Sequence, residues 1–203
     1  MITRVKAVEI LNGLIGIDLY EKAQSFGVTV QKGDKINKGW KGHTLELLAG
    51  LTNNSSRAPN GLDFELKSVA YIEKNGILIP KETMAITMIN PSELEKYEFY
   101  ESACWKKLKS IVFCACRWNG KHNICSELLK VTSFDFADSR LLLDEIKADY
   151  DFIRNKLITQ GFDALTGRDG KWIQARTKGP GHGSKSRAFY ARKSLLKEII
   201  NFT

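Results

Sequence analysis

Apolar and polar positions recur along the chain with two periods, one helical and one strand-like. The helical period, with apolar residues three or four apart, predicts five helices. Thr3 is a candidate cap for the first helix and Gly161 a stop for the longest. The predicted helices span about residues 4–11, 18–25, 42–49, 141–160 and 194–200.

Short runs with apolar residues at alternate positions predict seven strands. They span about residues 62–71, 77–80, 84–89, 108–117, 126–131, 172–177 and 188–192. Asn75-Gly76 predicts a tight hairpin turn between the first two strands, whereas the polar stretch 31–40 predicts a loop. The interleaving of strands and helices predicts an α/β (α+β) fold with a central mixed sheet flanked by helices.

The 203 residues fit one domain, or two lobes that share a core, and 43% of them are hydrophobic, which argues against a disordered chain. No apolar run approaches the roughly 20 residues that span a bilayer. The amphipathic segment 1–14 differs from the apolar core of a signal peptide. We therefore expect a soluble, cytoplasmic protein.

Four cysteines lie close together in the sequence, which suggests no wide disulfide framework and fits an intracellular protein. Cys114 and Cys116, with His122 and Cys125 downstream, could form a zinc site, but the spacing is not one of the usual ones. Because Cys114 and Cys116 fall in an apolar strand, the alternative is that they are small buried hydrophobes.

Positive charge is concentrated near the end of the chain. The net charge is +8, and residues 168–203 contain nine Lys or Arg against only Asp169 and Glu198. Such a segment is typical of a face that binds a polyanion, and the alternative is a solvated basic surface.

The segment 61–68, Gly-Leu-Asp-Phe-Glu-Leu-Lys-Ser, gives the sharpest chemical signal. Strand alternation would project Asp63, Glu65 and Lys67 from one face and the apolar residues between them from the other. Carboxylates bind a hard cation such as Mg²⁺, and an ammonium can orient water or offset charge on phosphate. This set suits phosphodiester hydrolysis. The alternative is an amphipathic strand with a charged outer face.

Three blocks in order resemble the MutH-like family of PD-(D/E)XK endonucleases, which comprises a mismatch-repair nicking enzyme and related type II restriction enzymes. The blocks are residues 38–50, the strand 65–67, and residues 174–179 with 187–193. The resemblance implies a restriction-endonuclease-like fold with two lobes around a DNA cleft. The catalytic lobe would span about residues 1–135 and the DNA-recognition lobe about 136–203.

The resemblance also assigns catalytic residues. Glu46 would lie on a helix beside a Mg²⁺ site, for which Mn²⁺ could substitute, and Lys107 would lie near the scissile phosphate. The alternative for Lys107 is a basic strand start that contacts nothing. The family has an aspartate in the turn before the catalytic strand, where this chain has Asn60. Either Asp63 supplies the missing carboxylate, or Asn60 marks a weakened or deliberately inactivated enzyme. The predicted metal ligands are therefore Asp63, Glu65 and Glu46.

The third block resembles the family's DNA-recognition loop and the segment after it. The predicted DNA-binding residues are Arg176, Lys178, Lys185, Arg187, Tyr190, Arg192 and Lys193. Most would contact phosphates, whereas Arg176 and Lys178 would read bases. Phe189 would pack inward while Tyr190 faces DNA. The alternative is that both aromatic residues lie in the core.

Together these features favour a Mg²⁺-dependent, sequence-specific endonuclease of double-stranded DNA, most closely a type II restriction enzyme of the MutH-like group with a GATC-like palindromic site. The alternatives are a mismatch-repair-type nicking endonuclease and a catalytically weakened DNA-binding relative. We expect a monomer or weak dimer on DNA, partnered by a cognate methyltransferase or a repair protein. An RNA-binding protein is disfavoured because no RNP-type aromatic pattern occurs.

Overall fold

A computed structural model describes residues 2–51, 61, 63–120, 124–178 and 185–202. The α-helices in these residues are α1 Arg4–Asn12, α2 Leu19–Ser25, α3 Trp40–Leu48, α4 Pro91–Lys96, α5 Ala103–Leu108, α6 Arg140–Gln160 and α7 Lys193–Ile199. The strands are β1 Gln31–Lys32, β2 Lys35–Ile36, β3 Glu65–Lys74, β4 Ile77–Pro80, β5 Met84–Met88, β6 Ser110–Arg117, β7 Leu128–Asp135, β8 Ile173–Thr177 and β9 Arg187–Ala191. The predicted mixed α+β class is confirmed.

Local sequence signals account for the element boundaries that were predicted well. Thr3 caps α1, because its hydroxyl oxygen accepts the Lys6 N–H at 3.4 Å. Asp18 caps α2 in the same way through the Tyr20 N–H at 3.0 Å. Asn75 and Gly76 both have positive φ, 53° and 76°, as the tight turn between β3 and β4 requires.

Several secondary-structure predictions are wrong, among them the strand predicted over residues 126–131, which spans Leu128–Asp135. The strand predicted to begin at residue 62 is β3, which begins at Glu65. The strand predicted from residue 108 begins at Ser110, because residues 103–108 form the short helix α5, which the Ser102 hydroxyl caps. The predicted loop 31–40 contains the hairpin β1–β2.

The first of two compact units comprises residues 1–81, 110–134 and 200–203. Its four-stranded sheet has the order β4-β3-β6-β7, with β3 antiparallel to β4 and parallel to β6. Alternate residues of β3 and β6, including Leu66, Val112 and Cys114, form one buried core with α1, α2 and α3. The sheet therefore presents one face to a helical layer and displays its remaining residues on the other.

The second unit comprises residues 82–109 and 135–199. Its three-stranded antiparallel sheet has the order β5-β9-β8. The buried ring of Phe189 on β9 stacks on Tyr150 of α6, with centroids 5.5 Å apart. Residues 82–109, which the sequence assigned to a catalytic lobe of about residues 1–135, belong to this second unit.

Two further expectations concern the membrane and the cysteines. None of the helices in the described residues combines the length and apolar character that a bilayer crossing requires. Cys114 and Cys116 are fully buried in β6, and burial raises the pKa of the Cys116 thiol to about 12. Both therefore serve as small apolar core residues, while His122 of the alternative zinc site lies outside the described residues.

Candidate active site and nucleic-acid interface

The start of β3 carries a paired carboxylate and ammonium. Glu65 and Lys67 are two residues apart and share a face of the strand, and Lys67 Nζ lies 2.7 Å from Glu65 Oε1. The Glu65 side chain is 2% exposed, whereas that of Lys67 is 21% exposed. The pair therefore combines a buried acid with a cation that reaches solvent. Charge–charge interactions at such a site are screened less than at the surface.

Asp63 lies outside the strand, which corrects the strand-alternation argument for it. It is exposed and precedes β3 by two residues, so strand geometry does not fix it on the Glu65 face. Its Oδ1 accepts the Arg4 backbone N–H at 3.1 Å. A carboxylate at the first turn of α1 is stabilised by the helix dipole, which gives Asp63 a structural use besides the predicted metal binding.

Glu46 lies on α3, at the Glu65 end of the sheet. The N-terminal part of α3 packs near Ser68, since a Cβ on Gly42 would lie 3.8 Å from the Ser68 hydroxyl oxygen. At its other end, a Cβ on Gly50 would lie 3.7 Å from Ile2, which neighbours the α1 start that Asp63 contacts. The helix thus runs back toward the beginning of β3. It covers the Ser68 face, which alternates with the face of Glu65 and Lys67.

The side chains predicted to bind metal near the start of β3 suit a hard divalent cation, because Glu65, Glu46 and Asp63 all offer carboxylate oxygens. Among the residues that the structure describes, however, no three or more His, Cys, Asp or Glu side chains form a group that could hold a metal ion. Asn60, in the turn that the sequence singled out, lies outside the described residues. The ligand set therefore stays a prediction.

Lys107 lies on α5, in the second unit, and not at the start of a strand. Its side chain is half-buried and has an interaction partner within the protein. The strand start in both readings of Lys107 is therefore wrong, and its placement near a phosphate stays a prediction.

In the second unit, the pairing of β8 with β9 divides the basic residues between two faces. Gln174 pairs with Tyr190 and Arg176 with Ala188, so these four share one face. Thr177 pairs with Arg187 and Ala175 with Phe189, so these side chains project from the other face.

Arg176 and Tyr190 form an ordered, accessible pair on the first of these faces. The Arg176 guanidinium lies 5.1 Å from the centroid of the Tyr190 ring, and its NH1 donates to the Thr83 hydroxyl at 3.0 Å. Arg176 is exposed and Tyr190 half-buried, whereas Phe189 is buried. The predicted inward packing of Phe189 is confirmed, and the alternative that both aromatic residues lie in the core is wrong. Thr83 is a new member of this group that no sequence motif indicated.

The structure corrects the DNA-binding prediction for Arg187. Its side chain is buried against Phe162, and its three nitrogens donate to backbone carbonyls. The acceptors are Leu165 O at 2.8 Å, Lys185 O at 3.0 Å and Asp163 O at 3.3 Å. Because Arg187 and Tyr190 are three residues apart, strand alternation sends them to opposite faces. Arg187 therefore fastens the segment after α6 to β9.

Arg192 is corrected for the same reason. Its Nε donates to Gly170 O at 2.9 Å, and its NH2 donates to Gly167 O at 3.0 Å and Asp169 O at 3.1 Å. The side chain is half-buried, and its donors hold the segment 167–170. A guanidinium engaged in this way lacks the freedom to follow a phosphate backbone.

The remaining predicted cations of this unit, Lys178, Lys185 and Lys193, are exposed. Lys178 N donates to Ser186 O at 2.9 Å, which extends the β8–β9 pairing by one step. The glycine-containing stretch 179–184 between them lies outside the described residues. Arg176 and these lysines thus cluster along one strand pair and the helix that follows it.

Asp149, absent from the predicted site residues, positions the beginning of β8. Its carboxylate accepts the backbone N–H groups of Lys171, Trp172 and Ile173 at 2.7, 2.6 and 2.9 Å. The residue is buried on α6. An acid on the apolar face of an amphipathic helix is the sequence signal that could have identified it.

Comparisons with known proteins show similarity to the mismatch repair protein MutH. A family model described as DNA mismatch repair enzyme MutH matches residues 49–140. A DNA mismatch repair protein MutH from Shewanella sp. (strain MR-7) is 25% identical over 173 residues, which cover 84% of this chain and 76% of the relative. One from Shewanella putrefaciens (strain CN-32 / ATCC BAA-453) is 26% identical over 215 residues, covering 96% and 92%.

Among solved structures, the complex of restriction endonuclease MvaI with its cognate DNA substrate matches 89% of this chain and 95% of its own, with 12% identity and a TM-score of 0.37.

Proposed function

We propose that the chain, which is similar to the DNA mismatch repair enzyme MutH over residues 49–140, is a MutH-like endonuclease that hydrolyses double-stranded DNA at a specific sequence. The observation that carries the proposal is the Glu65–Lys67 pair at the start of β3, where a buried carboxylate holds a partly exposed ammonium at 2.7 Å. Glu65 orients the ammonium, so Lys67 can meet a phosphate or an attacking water without reorganisation.

Mg²⁺, with Mn²⁺ as a substitute, would polarise the phosphoryl oxygen and lower the pKa of the attacking water. Glu65 would hold it, with Glu46 and Asp63 as further ligands. Asp63 would have to exchange its contact with the Arg4 N–H for the ion. Lys67 and Lys107 would offset negative charge on the scissile phosphate.

DNA binding is assigned to the exposed cations of the β8–β9 strand pair and α7, namely Arg176, Lys178, Lys185 and Lys193. Phosphate contacts by these residues would fix the register of the duplex. Arg176 and Lys178 would read base edges, as the resemblance implies. The Tyr190 ring packs against the Arg176 guanidinium. Arg187 and Arg192 are left out because backbone carbonyls occupy their donors.

Incubation of plasmid DNA with the protein, in the presence of Mg²⁺ or of EDTA, tests the proposal. We expect discrete fragments only with Mg²⁺, and mapping of their ends would give the recognition sequence, for which a GATC-like palindrome is the first candidate. Random degradation, or no cutting under any metal, would argue against a sequence-specific endonuclease.

Lys67→Ala should reduce cleavage to background while duplex binding persists, because the ammonium acts at the reacting phosphate and contributes little to total affinity. Fluorescence anisotropy and plasmid digestion would separate the two effects. Lys74→Ala, which removes an exposed lysine from the other end of β3, is the matched control and should cut normally. Normal cutting by Lys67→Ala would remove Lys67 from the mechanism.

A second candidate is nicking of one strand, which the similarity to DNA mismatch repair proteins favours over the type II restriction activity suggested by the sequence. Supercoiled plasmid distinguishes the two activities. An enzyme that cuts both strands yields linear product at early times, whereas a nicking enzyme accumulates open circles.

A third candidate is a weakened relative that binds DNA with little cleavage, and Asn60 is the residue that favours it. Asn60→Asp would restore the carboxylate that the family pattern places there, and we expect it to raise the Mg²⁺-dependent cleavage rate at least about tenfold if position 60 binds the metal. An unchanged rate would favour Asp63 as the ligand, or no metal ligand at this turn.

A further inference from the structure

The hairpin β1–β2 places two lysines opposite each other. Lys32 pairs with Lys35 and Gln31 with Ile36, across a turn in which Gly33 has a φ of +57°. Directly paired residues of antiparallel strands project from the same side, with Cα atoms about 4.5–5.5 Å apart. The two ammonium groups therefore extend from one face of the hairpin.

This arrangement works against the stability of the hairpin, because like charges opposite each other in a sheet repel. Residues 31–39 are all exposed, and neither the Lys32 nor the Lys35 side chain has a hydrogen bond or ion pair with any residue that the structure describes. Other lysines are paired with acids: Lys6 with Glu9, Lys67 with Glu65, Lys147 with Asp151, Lys156 with Asp169 and Lys171 with Glu145. An uncompensated pair of fixed cations is what a polyanion requires.

The hairpin is fastened to the helix that carries Glu46. Asn37 N donates to Val30 O at 2.9 Å, and its side-chain amide donates to Thr29 O at 2.8 Å. Its Oδ1 and backbone oxygen accept the N–H groups of Gly39 and Trp40, both at 3.1 Å. Asn37 thus joins the base of the hairpin to the first turn of α3, so the backbone that carries the two lysines is anchored to that helix.

We propose that the hairpin β1–β2 is a DNA-contacting element of the first unit, in which Lys32 and Lys35 bind backbone phosphates of the duplex. The inference rests on the proposed function, and it adds a contact surface to the basic C-terminal segment. Two ammoniums this close suit the dense charge of a duplex, about one phosphate per 1.7 Å of helix axis. Because they meet phosphates and not base edges, they contribute affinity without altering the recognition sequence.

Charge reversal at Lys35 separates binding from folding. Lys35→Glu replaces a repulsive cross-strand pair by an attractive one, so the melting temperature should be unchanged or higher. Affinity for a fluorescent duplex, measured by anisotropy in EDTA, should fall roughly 5- to 10-fold or more at 0.1 M salt, and the slope of log K against log salt should become shallower by about 0.9 per lost contact. Lys74→Glu, at the last residue of β3, makes the same charge change and is the matched control.

Equal affinities and equal salt slopes for Lys35→Glu and Lys74→Glu would overturn the inference and leave the proposed function standing. A wild-type protein that neither binds nor cuts duplex DNA would instead refute the proposed function. Cleavage by Lys35→Glu at the wild-type sequence, with weakened binding, is the result expected of a phosphate contact.

Discussion

At the scale of single residues, the same chemistry takes different roles according to what surrounds it. Glu65 and Lys67 are held together by strand alternation, which the sequence predicts correctly because the two are two residues apart within one strand. Asp63 differs, since it lies before the strand and engages the start of α1. The family resemblance assigned Arg187 and Arg192 to DNA binding, yet each guanidinium donates three hydrogen bonds to backbone carbonyls.

Asp169 provides a test of electrostatics at this scale. It accepts hydrogen bonds from Lys156 Nζ and Thr166 N, both at 2.7 Å. Burial raises the pKa of this carboxyl, but the hydrogen bonds from Lys156 and Thr166 outweigh it, so the pKa lies below its ordinary value of 3.8. The folded-state pKa is below the unfolded one. The resulting stability is therefore present above the unfolded pKa, about 3.9, and is lost as the pH falls through the folded value.

Asp169→Asn should accordingly lower the free energy of unfolding by about 1.5–3 kcal/mol at pH 7, because hydrogen bonds to a charged group are lost. The difference from wild type should shrink as the pH falls from about 5 to 3. Urea unfolding across this range measures it, with the exposed Asp144→Asn on α6 as control. A difference that stays constant with pH would show that the charge of Asp169 is irrelevant.

At the scale of elements, the face on which a side chain lies decides its use. Arg176 and Tyr190 share one face of the β8–β9 pair, while Arg187 and Phe189 share the other. Local patterns identified both strands to within one residue at their boundaries. They did not identify which face is covered, because that depends on α6, whose Tyr150 stacks on Phe189.

Two alanine variants test this division. Arg176→Ala should weaken duplex binding by roughly 1–3 kcal/mol and leave the melting temperature nearly unchanged. Arg187→Ala should instead destabilise the fold by about 2–4 kcal/mol, since the buried Leu165 carbonyl and two part-buried carbonyls lose their donor. Anisotropy and thermal unfolding of the same preparations give both quantities. A stable Arg187→Ala variant with impaired binding would indicate that Arg187 contacts DNA.

At the scale of the whole molecule, charge is distributed unevenly. The net charge of +8 derives mostly from residues 168–203, and the exposed cations described in that segment lie on β8, on α7 and in the loops that flank the strands. Binding should therefore be dominated by counterion release.

If Lys185 and Lys193 contact phosphates while Arg176 and Lys178 read bases, log K for duplex binding should fall with log salt with a slope of about −1.8, and more steeply if the β1–β2 hairpin also binds. Anisotropy titrations between 50 and 300 mM salt measure the slope. A flat response would exclude the basic segment as the DNA-binding surface.

The sequence by itself determined most helices and strands, the pairing of Glu65 with Lys67 and the location of the excess charge. These features follow from residues near one another in the chain, through helical and strand periodicity, capping and turn residues. Only the tertiary structure decided that Lys32 faces Lys35, that Arg187 and Arg192 fasten loops, and that Asp149 holds the start of β8. Each of those outcomes depends on which backbone donors or acceptors packing brings within about 3 Å, and residues up to 25 positions apart supply them.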